Sequence, residues 1–263
     1  MSRTARALGE VAFQRRLYED PNPTRRGLHR ARRGWVLGEA TAHSKDGDRI
    51  LEVGVGCGVF TEALSAAKRR VSAVDINPAS LENVAGLAAV ETYLKDATCP
   101  LGIGSHDLAI FSEVLEHVPA DRSQAMLGTL FDALRPGGVL ILTTPQRYST
   151  VELMTRLFRF PPILALARKL YGSAEELGHV NLLTAGALND QLAKAGFTVE
   201  SQRRFGFYLP VVAEFGGGAG SALLRTLEAA LRRVPVVRGL LWTQGWVLHR
   251  PLYTARETIA SEG

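Results

Sequence analysis

Ile50-Leu51-Glu52-Val53-Gly54-Val55-Gly56-Cys57-Gly58-Val59-Phe60-Thr61 is the stretch on which the fold turns. An apolar run with the makings of a β-strand enters a glycine-rich turn, and a helical pattern leaves it. Glycines in such a turn let the backbone bend tightly and approach a ligand closely. The dinucleotide fingerprint G-x-G-x-x-G would need a glycine where Val59 stands, and no Gly-Lys-Ser/Thr follows to make a phosphate-binding P-loop. The pattern is G-x-G-x-G.

Outward from this loop, short β-branched runs alternate with helical patterns, which predicts a doubly wound α/β sheet. The expected strands are Arg49–Val53, Val71–Asp75, Thr92–Asp96, Asp107–Ser112, Val139–Thr144, Phe197–Gln202 and Gly245–Arg250. Asn77-Pro78 supplies a cap and a first-turn proline. Pro119 to Leu134 reads as a helix closed by Pro136-Gly137-Gly138, and Thr184 caps a helix with Leu188, Leu192 and Ala195 on its apolar face before Gly196. The expected organisation is a helical cap over 1–47, a core over 48–150, a lid over 151–178, and the rest of the sheet over 179–263. Within that last part, 209–244 forms a helical insertion with a Gly216-Gly217-Gly218 hinge and a Leu223, Leu224, Leu227, Leu231 stripe. Amphipathic helices packed on the domain's own core are the ordinary reading of both insertions.

Asp75 ends the second strand, where its carboxylate can take both hydroxyls of a ribose. Asp96-Ala97 ends the third strand and Ser112 the fourth, on the crevice side where open α/β sheets bind ligands. Asp75 or Asp96 alone could be a helix cap or a solvated loop acid. In register with the glycine loop they point to one pocket.

The 263 residues carry a net charge of +5, and nine arginines against three acids between residues 1 and 33 account for +6 of it. The other 230 residues sum to −1, so the basicity is local, whereas a duplex binder spreads it over a docking face. Cys57 and Cys99 are too few for a disulfide framework or a zinc ribbon. Met1 to Glu10 lacks the apolar run of a secretory signal, and no stretch approaches a bilayer span. The expectation is a cytoplasmic protein.

The order Glu52-x-Gly54-x-Gly56-x-Gly58, Asp75, Asp96-Ala97, Asp107-Leu-Ala-Ile-Phe-Ser112-Glu-Val-Leu-Glu-His117-Val and Leu134-Arg-Pro-Gly-Gly138 resembles the class I S-adenosylmethionine-dependent methyltransferases. The likeness covers 48–150 closely, and 179–204 and 245–250 more loosely. It implies a Rossmann-like seven-stranded sheet in the order 3-2-1-4-5-7-6 with the last strand antiparallel. It also implies S-adenosylmethionine as donor and S-adenosylhomocysteine as product. By that likeness Glu52, Gly54, Gly56 and Gly58 line the methionine end and Asp75 holds the ribose. Ile76 packs on adenine, and Asp96 with Ala97 reads its edge.

Methyl transfer from a sulfonium is an in-line displacement that needs orientation and an acceptor stripped of its proton. Glu113, Glu116 and His117 form E-x-x-E-H, and on a helical turn these positions project to one side. His179 could close the set. Carboxylates with imidazole suit a divalent ion such as Mg, Mn or Fe(II). This constellation resembles the polyprenyl-catechol O-methyltransferases of ubiquinone biosynthesis and the small-RNA 2′-O-methyltransferases. That resemblance implies Glu113, Glu116, His117 and His179 as ion ligands. Without a metal, Glu113 would shape the methionine pocket, Glu116 would cap a helix, and His117 would act as base. The turn typical of amide and nucleobase N-methylation, Asn/Asp-Pro-Pro-aromatic, is missing after the fourth strand, and the only Pro-Pro is Pro161-Pro162.

The expected function is O-methylation of a lipophilic or aromatic small molecule, since the insertions are apolar with few acids. Other readings are metal-independent N- or C-methylation with His117 or His179 as base, nucleic-acid 2′-O-methylation, and a catalytically silent cofactor-binding subunit. An RNA acceptor would ask for a further binding module. The arginine cluster Arg25, Arg26, Arg30, Arg32 and Arg33 reads as a solvated helix face, or as a contact for an acceptor phosphate or carboxylate. With Arg159, Arg168 and Lys169 beside Phe158 and Phe160, it could also meet an anionic membrane surface.

Overall fold

The structure, a computed structural model, describes residues 3–157 and 180–252. Among them one sheet of seven strands runs in the order β3-β2-β1-β4-β5-β7-β6. The strands are β1 (Arg49–Val53), β2 (Arg70–Asp75), β3 (Val90–Leu94), β4 (His106–Ser112), β5 (Leu134–Pro145), β6 (Thr198–Phe205) and β7 (Thr243–His249). The first five pair in parallel, and β7 lies antiparallel between β5 and β6.

Helices α1 (Arg3–Leu17) and α2 (Pro23–Ala42) precede the sheet. Asn22 starts α2 by accepting from the amides of Thr24 and Arg25, with Pro23 preset in the first turn. Between strands come α3 (Val59–Ala66), α4 (Pro78–Glu82), α5 (Ala120–Ala133), α6 (Thr150–Leu157), α7 (Ala185–Ala195), α8 (Pro210–Phe215) and α9 (Gly217–Arg233).

Strand alternation divides the core. Leu51, Phe111, Leu140 and Leu142 face α5 and α7, where Leu127, Leu130, Leu188 and Leu192 are buried. Ile50, Leu108, Ile110 and Ile141 face the other way, onto Val36 and Ala40 of α2 and Phe60 and Leu64 of α3. A sheet covered on both sides has nearly continuous apolar strands, as the runs Arg49–Val53 and Asp107–Ser112 show. Thr184 caps α7 through Ala187 N, and Gly196 ends it with a φ of 97°.

Several expected boundaries move by a few residues. The third strand ends at Leu94, so Asp96 stands in the loop beyond it. α5 stops at Ala133, and Pro136-Gly137-Gly138 belongs to β5, where Gly137 N donates to Arg250 O at 2.8 Å and Arg250 N to Gly138 O at 2.9 Å. Register with the tail of β7 claims these residues for the sheet. In the 209–244 insertion only Gly216 of the expected hinge lies between α8 and α9, since Gly217 and Gly218 begin α9, and of the leucine stripe Leu224 is buried while Leu223 and Leu227 are exposed.

Most of the expected lid, with Phe158, Arg159, Phe160, Pro161, Pro162, Arg168 and Lys169, lies outside the described residues, as does His179. Among the described residues no helix is long and apolar enough to cross a membrane.

Candidate active site

The carboxyl ends of β1, β2 and β4 lie together at one end of the sheet, the side on which open α/β sheets bind ligands. Gly54 follows β1 with a φ of 83° and donates its amide to Val74 O at 2.9 Å, which fixes the loop to β2. Gly56, with a φ of 54°, donates to Asp75 Oδ2 at 3.1 Å. Positive φ at both positions is the conformation that side chains resist. A Cβ on Gly54 would also run into Val114, and one on Gly56 into Gln14. Gly58 then leads directly into α3.

Asp75 Oδ1 accepts from Asn77 N at 2.8 Å, so the same carboxylate holds its own turn and the glycine loop. Beside it Ile76 is 75% exposed, an apolar side chain left on the crevice wall. Asp96 is exposed and accepts from Thr98 N at 2.9 Å, a bond that holds its carboxyl below the usual range. Ala97 is buried behind it. Ser112 shares a hydrogen bond of 2.8 Å with Thr143.

Glu52 is buried under the loop. Its Oε2 accepts from Thr61 Oγ1 at 2.5 Å, while its Oε1 has no hydrogen-bond partner. Burial pushes this carboxyl up to about 8, against the hydrogen bond from Thr61.

At the end of β4 the chain bends sharply. Glu113 takes a φ of 57°, uncommon outside glycine, while its amide donates to Thr143 O at 2.9 Å. A short 3-10 turn, Leu115–His117, follows. Glu113 therefore stands before the turn rather than on a helical face shared with Glu116 and His117. Glu116 is buried and accepts from Thr144 Oγ1 at 3.0 Å. Burial first, and then the neighbouring Glu113, raises its carboxyl well above the usual range. The Glu116 carbonyl accepts from Val180 N at 2.9 Å and Asn181 N at 3.0 Å, which anchors the chain immediately after residue 179. His117 is exposed.

Helix α2 supplies a partner that the motif reading missed. Arg32 Nη1 lies 2.9 Å from Glu113 Oε2, and the guanidinium also hydrogen-bonds Tyr18. Burial would lower the pKa of Arg32, but Glu113 and Tyr18 outweigh it and the pKa is raised. A signal was present in the spacing: Arg32, Val36 and Ala40 stand four apart, and both apolar members are buried. The rest of the cluster is largely engaged within the fold. Arg25 pairs with Asp20 and Glu214, Arg26 donates to Asp20 O, and Arg30 Nε donates to Tyr18 O at 2.8 Å.

Helix α1 closes the glycine loop from outside. Arg15 donates to Cys57 O at 3.0 Å and pairs with Glu62, and Asn83 donates to the same carbonyl at 2.9 Å.

These residues fit S-adenosylmethionine: a cradle that a Cβ would fill, an acid at the second strand end, and an unpartnered buried carboxyl oxygen beneath. They fit a divalent ion less well. Glu113 is committed to Arg32 and Glu116 to Thr144, and the described members of the set do not gather as a three-ligand group.

The family model described as "Methyltransferase domain" matches residues 25–202. A ubiquinone biosynthesis O-methyltransferase of Bordetella bronchiseptica is 30% identical over 139 residues, 49% of this chain and 56% of that protein. A probable S-adenosylmethionine-dependent methyltransferase of Mycolicibacterium smegmatis is 31% identical over 173 residues, 64% of this chain and 59% of that protein. This chain thus spans less than two thirds of the length of either relative. The fold is that of the N-methyltransferase NodS from Bradyrhizobium japonicum, solved with S-adenosyl-l-homocysteine: TM-score 0.59, 17% identity, 95% of this chain and 100% of that one.

Proposed function

Because this chain belongs to the family of methyltransferase domains, we propose that it moves the sulfonium methyl of S-adenosylmethionine to a hydroxyl of a lipophilic or aromatic small molecule. The observation that carries this reading is the meeting, at one end of the sheet, of the Asp75-backed glycine loop with the acids and imidazole after β4. The loop and the start of α3 receive the methionine part, and the unpartnered Oε1 of Glu52 suits its ammonium. Each carboxylate oxygen can accept twice, so Asp75 keeps capacity for a ribose diol after its two backbone bonds. Ile76 offers adenine an apolar face, and Asp96 with Ala97 its edge.

The acceptor oxygen bonds to the methyl carbon as the carbon–sulfur bond breaks, and the electron pair of that bond stays on sulfur. The hydroxyl proton passes to His117; His179, just before the anchored Val180, is the second candidate for that role. The proposed transfer needs no Mg or Mn, since Glu113 is already paired with Arg32 and Glu116 bonded to Thr144. The hydroxyl, rather than an amine, follows the ubiquinone-pathway relative.

Calorimetry with S-adenosylhomocysteine should show one bound equivalent, and silence at high micromolar ligand would end the cofactor reading. Transfer of labelled methyl, screened over phenols, catechols and polyprenyl quinols, should survive exhaustive chelation. Turnover that needs added Mg or Mn would instead return the ion to Glu113, Glu116, His117 and His179.

A further inference from the structure

At the edge of the sheet opposite the crevice, three elements bring nitrogen and oxygen ligands together. His43 caps the end of α2, Glu200 projects from β6, and His249 ends β7. Glu200 Oε2 lies 3.1 Å from His43 Nε2 and 2.5 Å from His249 Nε2. One ligand atom from each residue falls within 4.8 Å of the others, the only such group among the described residues. The two rings stand 6.3 Å apart at 65°.

Hydrogen bonding orients the first ring. His43 Nδ1 lies 2.9 Å from Glu39 O, and a carbonyl can only accept, so Nδ1 carries the hydrogen. In the neutral ring Nε2 then presents a lone pair to a carboxylate that cannot donate. That meeting calls for a cation between them or a second proton on the ring. A backbone carbonyl behind the remote nitrogen is the arrangement that holds metal-binding imidazoles in place.

We propose that His43, Glu200 and His249 form a binding site for a zinc-class divalent ion that clips α2 to the antiparallel strands β6 and β7. Tetrahedral Zn with nitrogen and oxygen at about 2.0–2.1 Å places neighbouring ligand atoms about 3.3 Å apart, close to the His43 separations of 3.1 and 3.3 Å. The shorter approach of His249 opens by rotation of an exposed side chain. Two imidazoles with one carboxylate favour Zn, Co or Ni over Mg or Ca, whose preference is for oxygen alone. Solvent on the open side of Glu200 supplies the remaining ligand.

The test is Zn2+ titration of the tag-free full chain by competition with a chromophoric chelator. The expected result is one equivalent bound by the wild type and at least about tenfold weaker binding in His43→Ala, Glu200→Gln and His249→Ala. Zn2+ should raise the melting temperature of the wild type, and Mg2+ should not. Circular dichroism and S-adenosylhomocysteine binding of the metal-free variants report their folding, and both should match the wild type. Equal Zn2+ affinity in all four proteins would overturn the assignment in favour of another set of ligands. Absence of binding would overturn the proposal and leave a hydrogen-bonded histidine–carboxylate cluster with no metal site.

Discussion

On the β1–β3 side of the crevice the main chain does the positioning. Gly54 and Gly56 hold positive φ, and their amides donate to Val74 O and Asp75. On the β4–β5 side side chains from remote segments do it: Arg32 crosses from α2 to Glu113, Tyr18 joins it from the end of α1, and Thr144 holds Glu116. On the proposed reading the first side holds the methyl donor, which a rigid backbone cradle suits, and the second receives the acceptor beside ion pairs and hydroxyls carried by side chains.

The sharpest way to separate the two sides is to remove the proposed base, His117. His117→Ala should lower kcat by about 10²-fold or more while leaving S-adenosylhomocysteine affinity within about threefold; an equal loss in affinity would place His117 on the donor side. Next is Arg32→Met, which leaves Glu113 without its cation. Breaking a buried pair costs about 3 kcal/mol, so chemical unfolding should show a loss of that size, and Arg32→Met with Glu113→Gln should recover part of it.

Gly54→Ala comes third. The strained φ and the clash with Val114 cost about 1–3 kcal/mol of folded stability, and relieving them by moving the loop is expected to weaken S-adenosylhomocysteine binding by about 10-fold or more in calorimetry. Unchanged affinity there would mean that the loop does not cradle the donor.

The remaining effect is read against pH and concerns Glu52. Its carboxyl titrates near 8 when folded against an ordinary 4.5, so the folded chain holds more protons across that window. Stability without ligand is therefore greatest below the window and falls as pH rises through it, by at most about 1.4 kcal/mol per unit. Urea midpoints from pH 5 to 8 should slope downward in the wild type and flatten in Glu52→Gln. Calorimetry at pH 7 in buffers of different ionisation enthalpy should show proton release on binding S-adenosylhomocysteine, because its ammonium favours the ionised carboxyl.

The same division governs how far the amino-acid order reveals the site. Glycine spacing and strand-end acids obey local rules, so Gly54, Gly56, Gly58 and Asp75 could be placed from the chain alone, while the sheet order followed from the family resemblance those residues carry. Asp96 was expected at a strand end but lies beyond it, because pairing with β2 stops at Leu94. Glu113, Glu116 and His117 were expected on one helical turn. Glu113 is left-handed and pairs with Arg32, 81 positions away, and no local pattern encodes either feature. Arg32 was obscured by its neighbours: four other arginines between 25 and 33 made the segment look like a solvated face, although 32, 36 and 40 share one stripe.

The outermost strands have a colloidal consequence. β3 presents Glu91 and Thr92 to solvent, and β6 is exposed from Thr198 through Arg203, including Glu200. A strand arriving from a second molecule would have to pair against these charged margins, a standing deterrent to edge-to-edge aggregation. The charge that keeps the β6 margin from sticking to its own kind is also the one that draws two histidines to it.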